Sequence, residues 1–430
     1  MASSAAQQNT IKGSNCVTPK ADPALKPEAS PNLFSRVISL VTGNSLASMA
    51  TFIMMAALAR LMPVADFGRV AYAFNVSALL TMFMSFGIPS FLVVVRHREG
   101  SDIVAETNRL AVQSVGIVSL LAVVAVFAIW LLRGIPLGVL TAVVLAGIAG
   151  MVVPHVVSIC QAEGRWSDIS RHQVAANSLR AVLVVAITAL LRPADCAVVL
   201  WASAISLTIG ASLAGFKERG SLRLARSLKK LPKHASDFVN LALTNSAVVL
   251  ASRADVIVAG FLLTASDLGA YSAASTVALG MGLVQSAVMS VSLHDAAVSG
   301  CDSRLVVTRQ KQLLPYVAAA IITTVLLSPL VIPLLFGARY GIAAAPFRYL
   351  AATWLLGILF APLESHFSAF HSRDGLFLKI LQFLAFLVLA LVMGRSLTGL
   401  AAAVLASRII GWCWAYMKYQ QKSHYIEERI

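Results

Sequence analysis

Charge is scarce in this chain. Only 12% of its 430 residues are Asp, Glu, Lys or Arg, about half of what a soluble domain carries. With 58% of the residues hydrophobic and a mean hydropathy of +0.80, no fold surrounded by water can hide this much apolar side chain, whereas a bilayer can solvate it. Cysteine is sparse as well. Cys16, Cys160, Cys196, Cys301 and Cys413 are scattered, odd in number and form no Cys-x-x-Cys pair, which points away from a zinc site or a disulfide framework. The chain has no Walker A loop, no dinucleotide fingerprint and no nucleophile elbow. No cofactor, resident metal or catalytic residue is therefore expected. The apolar–polar alternation of an outer-membrane barrel is also missing.

What the chain does have is continuous apolar runs of about 20 residues, the length a helix needs to cross hydrocarbon. Twelve such spans are predicted, at roughly 34–62, 70–95, 110–132, 135–160, 174–191, 195–216, 239–263, 270–293, 312–336, 344–370, 376–394 and 397–417. Residues 1–32, rich in Ser, Ala, Pro, Asn and Lys, read as a disordered cytoplasmic tail, and 418–430 as a second tail.

The basic residues orient these spans. With both termini inside and residues near a span's end counted with the adjoining side, 24 of the 34 Lys and Arg fall on the inner side and seven on the outer side, leaving Arg180, Arg253 and Arg408 inside spans. This is the positive-inside bias, and it accounts for the net charge of +15 without nucleic acid as a partner. Seven of the inner residues lie between Lys217 and Lys233. Residues 217–238 read as a basic cytoplasmic linker, with Leu224, Leu228 and Leu231 spaced to line a short helix against anionic membrane lipids. A plain solvated linker fits the same residues.

The linker divides the chain into blocks at 33–216 and 239–417, six spans in each. Both blocks write the same hinge. "ARLMPVADFGRVAYA" at 59–73 and "GFLLTASDLGAYSAA" at 260–274 match at an offset of 201, with Asp66 on Asp267 and Gly68 on Gly269. Over 42–74 against 243–275, seven positions are identical. Six spans per block make the halves parallel repeats about an axis along the membrane normal. The expected fold is all-α, with two pseudo-symmetric six-helix lobes around a central cleft.

Residues 58–95, "LARLMPVADFGRVAYAFNVSALLTMFMSFGIPSFLVVV", resemble the opening of the Wzx-type polysaccharide-biosynthesis flippases of the multidrug/oligosaccharidyl-lipid/polysaccharide exporter superfamily. The matching positions are Ala59, Arg60, Pro63, Phe67, Gly68, Gly87 and Arg96, with Asp255, Gly269 and Tyr271 in the second half. The resemblance implies a lumen between two lobes, placed in a bacterial inner membrane. The implied cargo is a polyprenyl-pyrophosphate-linked oligosaccharide, moved from inner to outer leaflet, with H+ or Na+ as a coupling ion and polysaccharide polymerase machinery as a partner. A cation-coupled multidrug exporter of the same superfamily and a membrane polymerase or ligase are the alternatives. The short outer loops speak against the last.

Ionisable residues deep in the spans are the candidate site. Arg253 and Asp255 lie in the seventh span where the first half has Phe52 and Met54. A charge at the bilayer centre costs about 2.5–3.5 kcal/mol on insertion scales, so the pair needs water or partners. Arg is suited to a pyrophosphate because its planar fork binds two oxygens at once. Arg408 in the twelfth span is a further cleft candidate. Arg180 in the fifth is either a cleft residue or a snorkelling one, and Glu364 in the tenth is either a coupling acid or an ion-pair partner. His155, Gln161 and Gln285 read as polar packing groups. Trp130, Trp201, Trp354, Trp412 and Trp414 read as interfacial anchors or lipid-packed rings.

Overall fold

The computed structural model describes residues 33–85, 87–89, 91–92, 104–113, 116, 136–163, 165–191, 195–220, 222, 224–225, 231–299, 303–370 and 372–427. The tail at 1–32, most of the expected third span and Trp130 lie outside these. The chain divides into Met1–Ile38, of which only the first residues of the first helix are described, and Ser39–Ile430, which holds the rest.

Eleven long helices make up the described residues, and no strand occurs among them. They are α1 (Leu33–Leu61), α2 (Val64–Ser85), α3 (Leu137–Ala162), α4 (Trp166–Leu190), α5 (Cys196–Lys217), α6 (Ala235–Leu262), α7 (Ala265–Ser299), α8 (Ser303–Phe336), α9 (Ala344–Phe370), α10 (Ser372–Met393) and α11 (Leu397–Glu427). A further helical stretch, 104–113, falls between α2 and α3. Eight described helices are long and apolar enough to cross a membrane, and the protein is a multi-pass membrane protein.

Several helices begin earlier than hydropathy alone suggests. Helix α2 starts at Val64 rather than near 70, α4 at Trp166 rather than 174, and α8 at Ser303 rather than 312. The extra turns are polar, and hydropathy cannot distinguish a polar helical turn from a loop. The linker differs in the other direction. Helix α5 ends at Lys217, α6 already includes 235–238, and only Leu231–His234 form a short 3₁₀ turn. The expected short helix through Leu224 is not formed. Instead the Ala225 N–H donates to the Ala105 carbonyl at 3.0 Å and Arg109 donates to the Ala225 carbonyl. Residues 226–230 lie outside the described set.

Within the first block, α2 packs on α3, and α5 packs on α3 and α4. In the second, α9 is central, flanked by α7, α8 and α11, with α10 against α11. Small residues allow the close approach that lipid, with no hydrophobic drive of its own, otherwise does not reward. Gly282 of α7 lies under the Trp354 ring of α9, and Gly357 of α9 lies under Gln285 of α7.

The blocks meet through α2, which packs on both α6 and α7. The repeated hinge is the tightest backbone contact between them. A Cβ on Gly68 would sit 2.3 Å from the Ala265 carbonyl oxygen, and one on Gly269 would sit 2.2 Å from that of Val64. Val64 and Ala265 are themselves 201 apart. Residue 68 therefore meets the counterpart of 64, and residue 269 meets 64, which is the reciprocity a local two-fold axis requires. The two hinges lie on the same end of the bundle, as parallel repeats demand. Two helix N-termini abut here, and their partial positive charges repel. Asp66 and Asp267 stand in the two first turns and offset that repulsion. Gly allows the contact and Asp relieves it, which is why the pattern appears twice.

This generates a paired prediction. Gly68→Ala or Gly269→Ala puts a methyl into backbone and lowers the thermal unfolding midpoint of the detergent-solubilised protein by several degrees. Gly280→Ala, in open space on α7, leaves it unchanged or raises it, because Ala is about 1 kcal/mol the better helix former. Equal effects at all three positions contradict the packed hinge.

Candidate functional site

Arg253 sits on α6 and its guanidinium reaches across to the first block, where Nη1 donates to Asn75 Oδ1 on α2 at 3.0 Å. Asn75 is held in turn by its amide donating to the Ala71 carbonyl one turn back. One turn above on α2, the Tyr72 ring presses on Gly260 of α6. Arg253 is therefore at the junction of the blocks, partnered by a neutral amide. Among the described residues it forms no ion pair. A guanidinium has five N–H donors, and this contact uses one.

Asp255, two residues on, points elsewhere. Its Oδ2 accepts the Tyr271 hydroxyl of α7 at 3.0 Å, and its carboxyl lines a small cavity with Gln382 and Phe383 of α10 and Ser407 and Arg408 of α11. Arg408 Nη1 donates to Gln382 Oε1 at 2.7 Å. Gly411, one turn below Arg408, leaves space for the Gln382 side chain. The Gln382 amide nitrogen is buried with no protein partner among the described residues. The structure thus brings Asp255 and Arg408 to one cavity and separates both from the Arg253–Asn75 contact.

Glu364 is an ion-pair partner. Lys379 Nζ lies 2.7 Å from Glu364 Oε2, with the carboxylate 4% and the ammonium 14% exposed, and Trp412 Nε1 donates to Oε1 at 2.9 Å. Lys379, which loop counting assigns to the inner surface, lies inside α10. Trp412 is no interfacial anchor, being 2% exposed and stacked on Phe360 at 4.8 Å. Lys379 and Gln382 are three apart on α10, and Arg408 and Trp412 are four apart on α11. These are helical same-face spacings, so one polar seam runs between α9, α10 and α11. The spacing is present in the sequence, but only the pairing of α10 with α11 turns it into a seam.

In the first block, Arg180 of α4 does not snorkel. Its Nε donates to Ser203 Oγ of α5 at 2.8 Å, and the guanidinium lies 4.6 Å over the Phe74 ring of α2. The contacts of Arg180 are thus with α5 and α2, and its ring partner Phe74 is the chain neighbour of Asn75, which holds Arg253. His155 is a polar packing group, 2.8 Å from Asn108 and buried.

The ends of α3, α4 and α5 are stapled by Arg165. It bonds Glu163 at 2.9 Å, Asp168 at 3.2 Å and both Glu218 oxygens at 3.1 and 2.6 Å. His172 Nε2 adds a contact to Glu218 at 3.1 Å. Hydrogen bonding from Arg165 holds the Glu218 carboxyl below the usual carboxylate range. Cys160, His172 and Glu218 place ligand-type atoms within 4.8 Å of one another. Both carboxylate oxygens are already engaged by Arg165 and one also by His172, so this is a staple of three helix ends.

The fold matches solved transporters. The lipid II flippase MurJ in an inward closed conformation is 12% identical, with a TM-score of 0.71 over 89% of this chain and 87% of that one. A multidrug resistance MATE family transporter of the MOP superfamily matches in its inward-facing conformation at 14% identity and TM-score 0.65, covering 90% and 98%. Its outward-facing conformation matches at 15% identity and 0.64, covering 90% and 96%. At these identities the likeness is one of fold, a two-lobed all-helical fold like that of these transporters. Comparison with curated protein sequences gives no match. A family model described as polysaccharide biosynthesis protein matches residues 33–293, more than half of the chain, and the chain belongs to that family.

Proposed function

We propose that the protein is a flippase. It carries a polyprenyl-pyrophosphate-linked oligosaccharide from the inner to the outer leaflet of a bacterial inner membrane by alternating access, with both termini in the cytoplasm. Three things support this reading: the family, the two-lobed fold, and the excess of basic residues on one side. Sugar hydroxyls and phosphates cannot cross hydrocarbon without losing their water, so the cargo needs a polar path with cations along it. One observation carries the proposal. Arg253 stands at the junction of the lobes, held by Asn75 of the opposite lobe at 3.0 Å, with most of its donors uncommitted to protein acceptors. An arginine partnered by an amide keeps its full charge available to an anion. The same feature counts against a cationic drug as cargo. Asp255 and Arg408 form the second polar point of the path, and Arg180 the third.

In a deletion strain, Arg253→Lys keeps the charge but loses the bidentate fork, and export of the polysaccharide falls partly. Arg253→Ala abolishes export, with lipid-linked repeat units accumulating and membrane abundance normal. Normal export by Arg253→Ala removes it from the site. Loss of the protein from the membrane makes it a structural residue instead.

Glu364 reads as structural. Breaking a buried pair by removing one partner costs about 3–5 kcal/mol, whereas replacing both is close to neutral. Lys379→Met alone therefore lowers membrane abundance, and Glu364→Gln with Lys379→Met restores both abundance and export. A double variant that is abundant but inactive makes Glu364 the coupling acid.

A further inference from the structure

Arg60 is the second-last residue of α1 and Arg339 lies three residues beyond the end of α8. Each reaches into the other's helix. Arg60 Nε donates to the Leu335 carbonyl at 3.0 Å and Nη2 donates to that of Leu334, both in the last turn of α8. Arg339 Nη2 donates to the Ala59 carbonyl and, at 3.0 Å, to that of Arg60, both in the last turn of α1. The Tyr340 hydroxyl adds a bond to the Ala59 carbonyl at 3.2 Å. The last carbonyls of a helix have no intrahelical donor, and two C-termini side by side repel through their partial negative charges. Here each end is capped by the cation of the other. Gly337, at φ +102, makes the turn that aims Arg339 back. Neither arginine is in an ion pair among the described residues.

Behind these caps lies an aromatic plug. Phe67 stands edge-on to Tyr340 at 5.8 Å and Phe52 edge-on to Phe336 at 6.3 Å. Phe67, Phe336 and Tyr340 are fully buried. Phe67 belongs to the turn that carries Gly68, so the caps, the plug and the glycine contact share one end of the bundle.

We infer that Arg60 and Arg339 form a reciprocal latch that holds this end of the path shut, and that the latch must release for cargo to leave by it. The inference rests on the proposed transport reading for the path, the cargo and the leaflet the latch faces; the contact of α1 with α8 stands without it. The caps bind neutral backbone oxygens, and both arginines are exposed. Water replaces the bonds when α1 parts from α8, so the latch opens reversibly in each cycle. Each arginine shifts the closed–open equilibrium by about tenfold, the worth of one charge-assisted hydrogen bond.

The test places one cysteine in the buried cluster that also holds Phe67, Phe336 and Tyr340. All five native cysteines are replaced, and Ala270→Cys introduces a thiol at a fully buried position beside the Gly269 contact. Intact cells are treated with a membrane-impermeant maleimide and, in parallel, with a permeant one. Arg60→Ala or Arg339→Ala raises the impermeant labelling rate about tenfold, and the two together raise it further. Arg60→Lys with Arg339→Lys gives a smaller rise, because an ammonium still donates to one carbonyl. If the double alanine variant is not inserted, the lysine pair carries the test. Unchanged labelling in inserted variants overturns the latch. A rise seen only with the permeant reagent keeps the latch and overturns its outer placement, and with it the orientation of the transport reading.

Discussion

A charge inside a bilayer must find its partner within the bundle, and that constraint organises this protein. Glu364 is neutralised by Lys379 and held by Trp412. Asp255 has the Tyr271 hydroxyl. The arginines are treated differently. Arg253 is given an amide, Arg180 a hydroxyl and an aromatic face, and Arg408 an amide beside Asp255. For Arg253 and Arg180, neutral acceptors fix the direction of the guanidinium, whereas Arg408 shares its cavity with the Asp255 carboxyl. The acid of the polar seam is spent on structure, while positive charge is left facing the junction of the lobes. In the transport reading proposed above, that imbalance suits a phosphate-bearing cargo.

The same electrostatics governs the closed end. Four helix termini meet there, two N-termini at Gly68 and Gly269 and two C-termini at Arg60 and Arg339. The N-terminal pair carries Asp66 and Asp267, and the C-terminal pair carries the two arginines. Each charge is of the sign its helix end requires. The N-terminal contact obeys the repeat, since 64, 68, 265 and 269 interchange at an offset of 201. The C-terminal contact does not, because the counterpart of Arg60 is Phe261. A symmetric pivot beside an asymmetric latch is what a two-lobed carrier needs if its lobes swing together while one end opens.

Much of this was legible in the sequence. Among the described residues, hydropathy locates the helices to within a few residues wherever polar turns do not extend them, and the repeated Asp-x-Gly marks a contact between the blocks. Arg253 and Asp255 were marked because their counterparts are apolar. What could not be read depends on which helices are neighbours. Lys379 looks like an inner-loop cation because it is only three residues past the predicted start of its span, and only the position of Glu364 on α9 shows it to be buried. Trp412 looked like an interfacial ring until Phe360 and Glu364 were placed beside it. Arg60 and Arg339 are 279 residues apart, and no local pattern pairs them. The Leu224, Leu228 and Leu231 spacing suggests a helix, but at Leu224 and Ala225 the chain is not helical and the Ala225 N–H pairs with Ala105 instead, while 226–230 lie outside the described residues.

The central claim is that the path is built for an anionic lipid headgroup. Purified protein is reconstituted into vesicles containing a polyprenyl-pyrophosphate oligosaccharide, and a glycosidase is added outside. The account predicts that sugar of the inner leaflet becomes accessible in vesicles with the protein and stays protected in protein-free ones, while a lipophilic cation trapped inside is not released. Protection unchanged by the protein, with the cation released, would contradict it.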